Sequence, residues 1–496
     1  MQRLSSSSAW PIHGLGSIRA LETRLQAHSA IPLMEKAGLS TARLALALAP
    51  HAQRIWVAAG PGNNGGDGLE AALHLHRWGQ TVRVSLMGAA TDLPADAHAA
   101  WLRAQSAGVP ITSDLPTTWL EEMGSLDLCI DALLGMGATR ALSTNMQNWV
   151  QAINRCPAQV LAIDVPTGLS PASGQLLGDT RDATCMVRAN HTLTFIAAKA
   201  GLFMGHGRDA CGDLWLDPLG LETDASTPPP QALLNTSRPR QPPTHASHKG
   251  SHGDVAIVGG EALTAHGMGM TGAAVLAATA ALHAGAGRVI LSLLSGQGTD
   301  SAPPDVMQQS WERLELEKLH VVCGCGGGQA VQARLPEVLQ RAAQLVLDAD
   351  GLNAVAQDSH LQALLHQRAN TRPTVITPHP LEAARLLKSS TAQVQSDRLK
   401  AAQDLVNLCQ CSVVLKGSGT VIAAPGQTPH INTTGNGRLA MGGTGDVLAG
   451  LIGARMAQGL SPFDAACSAV VQHGQLANDW PKDQALTASR LARHLR

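Results

Sequence analysis

The chain has 496 residues, with 36 lysine and arginine residues against 37 aspartate and glutamate residues. A chain of this length is longer than a single hydrophobic core ordinarily accommodates, so we expect two or more domains of about 100–200 residues each. The balanced charge argues against a broad nucleic-acid-binding surface, and the absence of tyrosine, with only 3 phenylalanines, argues against a base-stacking platform.

The cysteines and the N-terminal sequence indicate the cellular compartment of the protein. Nine cysteines, an odd number, favour reduced thiols in the cytosol over a disulfide framework. The pairs Cys323/Cys325 and Cys409/Cys411 offer half-sites for zinc, although no histidine or second pair stands near either. The sequence shows no signal peptide and no apolar run long enough to span a membrane. We therefore expect a cytoplasmic protein that binds neither nucleic acid nor a membrane.

The first half alternates short apolar strands with helical stretches. Residues 15–48 show helical spacing, interrupted at Pro32. Strands at 54–60, 126–130 and 160–163 each end in a polar, glycine-rich turn. Because the carboxyl ends of parallel strands meet at one edge of a sheet, these three turns predict one ligand site. Further strands are predicted at 81–87, 191–198 and 212–216, and a helix at 96–107.

The first of these turns is GPGNNGGDG, Gly60–Gly68, with a helix predicted from Leu69 onward. Strand, glycine loop and helix form the layout of a phosphate-binding turn, because backbone amides and the helix N-terminus face the anion. The side chains of Asn63, Asn64 and Asp67 could hold a cation or a sugar as well as a phosphate. An Asx-rich turn is the structural alternative.

The other two turns each contain an aspartate. The sequence DALLGMG begins at Asp131, and DVPTG spans Asp164–Gly168. An aspartate that caps a turn would explain one of the three polar turns, but hardly all three together.

A change of composition divides the chain. Residues 223–243 are rich in proline and poor in apolar residues, which predicts a linker. The predicted domains are therefore 1–222 and 244–496, and the second half again alternates strands and helices. The predicted fold class is α/β, with two three-layer αβα domains built on largely parallel sheets.

The most informative stretch of the second half is NGRLAMGGTGDVLAG, Asn436–Gly450. Its glycine pairs let backbone amides surround an anion, and the apolar run after Asp446 predicts a helix whose N-terminus attracts the same anion. Asp446 could take a proton from a hydroxyl that attacks phosphorus. The alternative is an aspartate that caps a helix after a glycine turn. By itself the stretch indicates phosphoryl transfer, as in a kinase.

The motifs of the two halves resemble two known families. The first half resembles the YjeF N-terminal family of NAD(P)H-hydrate epimerases in LMEKAG, GPGNNGGDG, DALLGMG, IDVPTG and TFIAAKAGL. The second half resembles the YjeF C-terminal family, the ADP- or ATP-dependent NAD(P)H-hydrate dehydratases, in SHKG, GMTGAA, DADGLN, TPHP, VLKGSGT and GGTGDVLAG. The resemblance implies a Rossmann-like first domain and a ribokinase-like second domain.

The resemblance implies repair of a damaged cofactor. NADH and NADPH that have added water form NADHX and NADPHX, each as two epimers. The first domain would interconvert the R and S epimers, and the second would phosphorylate the hydroxyl of the S epimer and expel phosphate. The co-substrate would be ADP, giving AMP and phosphate, with ATP as the alternative. Potassium and magnesium ions would be cofactors, and we expect a homo-oligomer.

The resemblance also implies site residues in the first domain. Those expected around the phosphates and ribose of the hydrate are Asn63, Asn64, Gly65, Gly66, Asp67, Gly135, Met136, Gly137, Ala138, Thr139, Arg140 and Ala141. Asp164 would contact the substrate and act as a general acid or base near the nicotinamide. Asn64, Asp131 and Thr167 would hold potassium through oxygen atoms.

In the second domain, the implied nucleotide-binding residues are Lys416, Gly417, Ser418, Gly419, Thr420 and Gly445. Ala273, Gly328, His379 and Asp446 would contact the hydrate, with Asp446 as the catalytic base. The glycine amides before Asp446 would bind the transferred phosphoryl group, and magnesium would bridge the nucleotide phosphates.

Three of these assignments have structural alternatives. His379 could be a turn histidine, Lys416 a surface lysine that extends to solvent, and Asp164 a turn cap.

Four positions depart from the family pattern. Leu69 replaces a frequent aromatic residue and removes a ring contact, whereas Thr167 replaces serine and keeps the hydroxyl. Cys325 replaces a proline, so a more flexible loop is expected. Leu381 replaces a glycine and would be strained if its position requires a positive φ.

Two other functions stay open. The first is a ribokinase-like small-molecule kinase, such as a vitamin-alcohol kinase, fused to a nucleotide-binding domain; it would give a stable phosphorylated product. The second is a non-enzymatic first domain that senses a nucleotide or scaffolds a partner. The joint presence of Asn64, Asp131, Asp164 and Thr167 argues against this second alternative.

Overall fold

The computed structural model describes residues 1–5, 8–178, 182–236, 244–263, 267, 269–369 and 371–495. The chain folds into two compact units, Met1–Ser5 with Trp10–Ala232 and Ser6–Ala9 with Leu233–Arg496. Residues 237–243 of the predicted linker lie outside the described residues. Among the described helices, none combines the length and the apolar character needed to cross a membrane.

The first unit is built on a mostly parallel sheet. Its strands are β1 (Gln2–Arg3), β3 (Ile55–Ala59), β4 (Val82–Leu86), β5 (Ile111–Thr112), β6 (Leu128–Ala132), β7 (Gln159–Ile163), β8 (His191–Phe195) and β9 (Asp213–Asp217). The two-residue strand β2 (Pro11–Ile12) is not part of this sheet. The order across the sheet is β1-β9-β8-β7-β6-β3-β4-β5, and only β1 runs antiparallel to its neighbour. Chain order reverses between β3 and β6, which is where an open α/β sheet leaves a ligand crevice.

Helices cover both faces of this sheet. They are Leu15–His28, Leu33–Leu48, Asn63–Arg77, Ala95–Ser106, Thr117–Glu122, Thr144–Arg155 and Gly207–Ala210. Val57 of β3 belongs to the hydrophobic core shared with the first four helices, whereas Trp56 belongs to the core shared with Thr144–Arg155. Neighbouring residues of one strand therefore face two separate cores, and the predicted three-layer αβα architecture is confirmed for this unit.

The helix after β3 begins earlier than the sequence predicts. Asn63 is its first residue, so the Asn-Gly-Asp sequence forms its first turns and is not a loop. Gly65 is required here by packing, because a Cβ at this position would collide with the carbonyl oxygen of Gly60. Close backbone packing therefore accounts for part of a glycine pattern that suggested a phosphate loop.

The second unit contains another, larger sheet. Its strands are β10 (Ala232–Asn235), β11 (Asp254–Gly259), β12 (Arg288–Leu293), β13 (Met307–Gln308), β14 (His320–Cys323), β15 (Gln344–Leu347), β16 (Thr374–Ile376), β17 (Ser412–Leu415), β18 (Val421–Ala423) and β19 (His430–Asn432). The order is β13-β12-β11-β14-β15-β16-β17-β18-β19-β10. The strands from β13 to β17 are parallel, and β18 is antiparallel to both neighbours. Chain order reverses between β11 and β14.

Ten described helices accompany this sheet. They are Thr271–His283, Leu335–Arg341, Ala349–Gln357, Ser359–Ala369, Pro380–Leu386, Thr391–Ser396, Arg398–Cys409, Thr444–Ala457, Pro462–Asn478 and Ala488–Arg493. Val255 and Val322 share one hydrophobic core with the helices at 271–283 and 444–457. The buried residues of Arg398–Cys409 lie outside that core. The second unit is thus also α/β.

Part of the predicted linker is a strand. The residues of β10 pair in parallel with β19, with Leu233 opposite His430. Asn235 fixes the strand end by donating from Nδ2 to the backbone carbonyl of Cys467 at 3.0 Å. The linker prediction is wrong for these four residues, because prolines on either side hid the short apolar run Ala232–Leu234.

The contact between helices 271–283 and 444–457 gives a stability prediction. A Cβ at Gly450 would collide with backbone atoms of Ala277, so Gly450→Ala should lower the free energy of unfolding by about 1–3 kcal/mol. Gly272→Ala is the matched control, since nothing lies within 4 Å of its Cβ position. Urea unfolding followed by circular dichroism would measure both, and equal stability of the two variants would contradict this packing.

Candidate active sites

The first unit contains a cavity of about 770 Å³ beside the turns that follow β3, β6 and β7. Ten of the residues predicted to surround the hydrate line it: Asn63, Asn64, Asp67, Gly135, Met136, Gly137, Ala138, Thr139, Arg140 and Ala141; Asp164 also lines it. Gly65 and Gly66 do not line it, since Gly65 packs against Gly60 and Gly66 against Met34. These two glycines pack behind the residues that line the cavity.

Asp164 is held in a strained backbone position at this cavity. Its φ is 65°, a region that residues other than glycine seldom adopt. Its Oδ1 lies 2.7 Å from Nζ of Lys199, and its Oδ2 accepts the backbone N–H of Met136 at 2.8 Å. Both partners belong to other segments, so a local turn cap does not describe this residue.

Lys199 is a candidate that the sequence analysis missed. Its side chain is 1% exposed, and Nζ donates to Oγ1 of Thr194 at 2.8 Å and to the carbonyl oxygen of Phe195 at 3.2 Å. Lysine is rarely buried unless it is paired, so the lysine inside the apolar motif TFIAAKAGL was the available signal. The pair places a fixed cation at the cavity wall.

Two further carboxyl groups stand near Asp164. Burial, followed by the negative charge of Asp164, raises the pKa of Asp67 well above its usual range. The same two causes raise the pKa of Glu22, which lines the cavity and was not predicted. Burial therefore disfavours a second negative charge beside Asp164 at both positions.

The three predicted potassium ligands come from neighbouring segments. Thr167 donates its backbone N–H to Oδ2 of Asp131 and its hydroxyl to Oδ1, both at 2.8 Å. Burial raises the pKa of Asp131 to about 6. Asn64 is buried, and its Nδ2 finds no hydrogen-bond partner within the described part of the chain. Asp131 has no ion pair with any described residue.

The second candidate site surrounds Asp446. This residue lies in the first turn of the helix Thr444–Ala457, and the cap position belongs to Gly443, whose φ is 92°. The helix-cap alternative is therefore wrong. Burial, followed by the charge of Asp348, raises the pKa of Asp446 to about 6, which suits a base near neutral pH.

Lys416 points to the start of this helix. Its Nζ lies 2.6 Å from Oδ1 of Asp348 and 4.0 Å from Oε2 of Glu382. A Cβ at Gly445 would lie 3.4 Å from the same Nζ. Burial lowers the pKa of Lys416, but the two carboxylates outweigh it and raise the pKa overall, so the side chain is charged. The surface-lysine alternative is wrong.

The predicted nucleotide loop, Lys416–Thr420, folds around a buried arginine. Nη2 of Arg398 donates to the carbonyl oxygens of Leu415, Lys416 and Gly419 at 3.0, 3.2 and 3.3 Å. Arg398 therefore holds the shape of the loop. No local sequence pattern shows that the helix starting at Arg398 lies beside β17, so this arginine was not predicted.

His379 has a structural role that the turn-histidine alternative anticipated. It caps the helix Pro380–Leu386, and its Nδ1 accepts the N–H of Leu381 at 3.1 Å. Its Nε2 lies 3.1 Å from Oε1 of Glu382, so both ring nitrogens have partners. Leu381 has a helical backbone, and the expectation of strain at this position is wrong.

The loop after β14 is closely packed. The carbonyl oxygen of the buried Cys325 accepts the N–H of Gly260 at 3.1 Å, which does not fit the expected looser loop. Gly328, a predicted hydrate contact, donates its N–H to Oδ2 of Asp350 at 2.9 Å. Ala273 lies beside the same loop, since a Cβ at Gly326 would approach it to 2.8 Å.

Family comparisons match both units. A model described as YjeF-related protein N-terminus matches residues 30–201, and a model described as NAD(P)H-hydrate dehydratase matches residues 256–496. The bifunctional NAD(P)H-hydrate repair enzyme Nnr of Escherichia coli is 38% identical over 468 residues, which cover 90% of this chain and 84% of that protein. The chain belongs to the bifunctional NAD(P)H-hydrate repair enzyme family.

Other members of this repair enzyme family cover the chain more fully. The Nnr protein of Coxiella burnetii is 35% identical over 506 residues, which cover 97% of each chain. Among solved structures, the ADP/ATP-dependent NAD(P)H-hydrate dehydratase of Bacillus subtilis, co-crystallised with ATP and Mg²⁺, is 28% identical. That match covers 52% of this chain and 92% of the other, with a TM-score of 0.43.

Each unit of this repair enzyme family member thus contains one of the two candidate sites. In the first unit, ten predicted hydrate-binding residues and Asp164 line one cavity, whereas Asp131 and Thr167 are hydrogen-bonded to each other and are not among its lining residues. In the second, the structure brings Lys416 and Gly445 beside Asp446.

Proposed function

We propose that the chain repairs hydrated nicotinamide cofactors with one reaction in each unit. The first unit interconverts the R and S epimers of NADHX and NADPHX. The second dehydrates the S epimer with ADP, giving AMP and phosphate, and ATP is the alternative donor. Family membership over both units carries this proposal. The domain bounds 1–222 and 244–496 stay a prediction, with β10 reassigned from the linker.

For the epimerase, Asp164 is the proposed proton acceptor and Lys199 its electrostatic partner. Inversion of the hydroxyl-bearing carbon requires its bond to oxygen or to the ring nitrogen to break and re-form on the other face, with a proton taken from the substrate and later returned to it. The carboxylate of Asp164 would accept this proton, and the ammonium group of Lys199, 2.7 Å away, would stabilise negative charge that develops beside it. The left-handed backbone of Asp164 supports the assignment, since strain of this kind is concentrated at functional sites.

For the dehydratase, Asp446 would accept the hydroxyl proton of the hydrate while the hydroxyl oxygen attacks the terminal phosphate of the nucleotide. A bond from that oxygen to phosphorus forms as the bond to the AMP oxygen breaks. The amides at the helix start and the charge of Lys416 would offset the charge on the phosphoryl oxygens. Phosphate then leaves with both electrons of its bond to carbon, and the neighbouring carbon loses a proton to restore the double bond.

Two cations belong to the proposal. Asp131 and Thr167 suit potassium, because the buried carboxylate, without an ion pair among the described residues, lies beside the hydroxyl of Thr167, and Asn64 would add its amide oxygen. Bound there, potassium would neutralise Asp131 and hold the turns around the cavity together. Magnesium would enter with the phosphates of the nucleotide. A cytoplasmic location agrees with nine free cysteines, and a homo-oligomeric state stays a prediction.

The two reactions should be separable by mutation. With purified S epimer and ADP, the chain should restore the absorbance of NADH; Asp446→Asn should abolish this recovery and leave epimer exchange intact. Asp164→Asn and Lys199→Met should slow epimer exchange by about 10²-fold or more, measured by chromatography of the epimers, and spare the recovery. No recovery with ADP or ATP would refute the dehydratase, and a stable phosphorylated product would instead indicate the kinase.

Replacing potassium with lithium at constant ionic strength should slow epimer exchange, because the smaller ion fits a site of three protein oxygens less well. The Asp131→Asn variant should exchange the epimers slowly in both salts. The rate of dehydration of the pure S epimer serves as the control and should be equal in the two salts. If wild-type exchange were equally fast in both salts, the potassium assignment would be refuted.

The pKa of Asp446 gives a pH prediction. A base acts when deprotonated, so kcat/KM for dehydration should fall as the pH drops through about 6, by about tenfold per pH unit below it. Asp348→Asn removes a negative charge that raises the pKa of Asp446, so the falling limb should move to lower pH. A limb that did not move in this variant would show that another group controls the rate.

A further inference from the structure

Three metal-ligating side chains meet beside the proposed phosphoryl-transfer site. The thiol of Cys325 and the carboxylates of Asp348 and Asp446 have ligand atoms that all lie within 4.8 Å of one another. Cys325 follows β14, Asp348 follows β15, and Asp446 lies at the start of a helix. Cys325 and Asp348 are buried, whereas Asp446 is partly exposed, which leaves the cluster open on one side.

We propose that this cluster, called here the Cys325 cluster, is a binding site for a thiophilic divalent cation of the Zn²⁺ or Cd²⁺ type. Occupancy would engage the carboxylate of Asp446 and so inhibit the reaction of the second unit. The inhibition rests on the proposed role of Asp446, but the binding does not.

The ligand set determines which cation fits. Thiolate sulfur favours zinc and cadmium, whereas magnesium prefers oxygen and water and gains little from sulfur. Ligand atoms around one tetrahedral zinc ion lie about 3–4 Å apart, so a group already within 4.8 Å needs only small side-chain movements. The thiol of Cys325 would release its proton to solvent as the sulfur–metal bond forms. Three protein ligands leave a fourth position for water.

The charges around the cluster also suit a dication. Three carboxylates, those of Asp348, Asp446 and Glu382, stand near one ammonium group, that of Lys416. Lys416 is paired with Asp348 at 2.6 Å and opposes a second cation there, but Glu382 is only 4.0 Å away and offers an alternative partner. Burial lowers the pKa of His473 to about 4, so this histidine adds no positive charge.

Cys325 supplies the sulfur ligand of the cluster, and its side chain is buried. Cys323 lies two residues away in β14, is equally buried, and does not belong to the cluster. It therefore provides a matched control for the loss of one buried thiol.

The binding test uses the full-length, reduced, metal-free protein. On titration with Cd²⁺, the ultraviolet band that marks a cadmium–thiolate bond should rise until one equivalent of Cd²⁺ is tightly bound. Zn²⁺ should compete with Cd²⁺ for this site. Cys323→Ala should keep this band, and Cys325→Ala should lose it. Asp348→Asn should weaken the affinity about tenfold or more. An unchanged band in Cys325→Ala would overturn the site, and if that variant failed to fold, unchanged affinity in Asp348→Asn would do so.

The inhibition test measures ADP-dependent recovery of NADH absorbance, with each variant normalised to its own rate without zinc. Zn²⁺ should inhibit the wild type and Cys323→Ala alike. For the same degree of inhibition, Cys325→Ala should require a Zn²⁺ concentration at least about tenfold higher. Equal inhibition of all three would overturn the regulatory claim. Cadmium binding at Cys325 in a protein without any recovery activity would support the site and refute the proposed dehydratase.

Discussion

Close backbone contact between two loops at the reversal point of each sheet is the constraint on which both sites depend. A Cβ at Gly60 would collide with the carbonyl group of Leu133, and a Cβ at Gly259 with that of Cys325. In each unit a glycine therefore lets the turn after one central strand touch the turn after its neighbour. This contact determines where the polar side chains of those turns meet, and hence where a ligand can bind.

Buried lysine–carboxylate pairs supply the charge at both sites. Lys199 with Asp164 and Lys416 with Asp348 are ion pairs of 2.7 and 2.6 Å, each with one partner only 1% exposed. Burial of such pairs costs much of what the attraction returns, so their contribution to stability is small. The pairs instead fix the positions of charges. Each holds a lysine ammonium group beside a carboxylate that we propose to act in catalysis or in metal binding.

Several residues that shape the sites have no local signature. Arg398 organises the nucleotide loop from the start of the helix that precedes β17. Asp348 at the end of β15 and Glu382 in the helix Pro380–Leu386 hold Lys416. The glycines of the first motif suggested a loop, yet Asn63 begins a helix, because interior packing demands glycine as strongly as a phosphate does. When glycines of one motif serve packing as well as ligand binding, the sequence does not show which glycine has which role, and the fold is needed to tell them apart.

The sequence alone determined the α/β class, the two-unit organisation and the family resemblance, because these follow from periodicity and from motifs whose spacing is local. The resemblance in turn implied Asp164 and ten other residues that line the first cavity. The tertiary structure decided which charges meet. It paired Asp164 with Lys199, made His379 a helix cap and placed Cys325 beside Asp446. These contacts join residues from separate strand ends or depend on exact side-chain directions, which only the packed sheet defines.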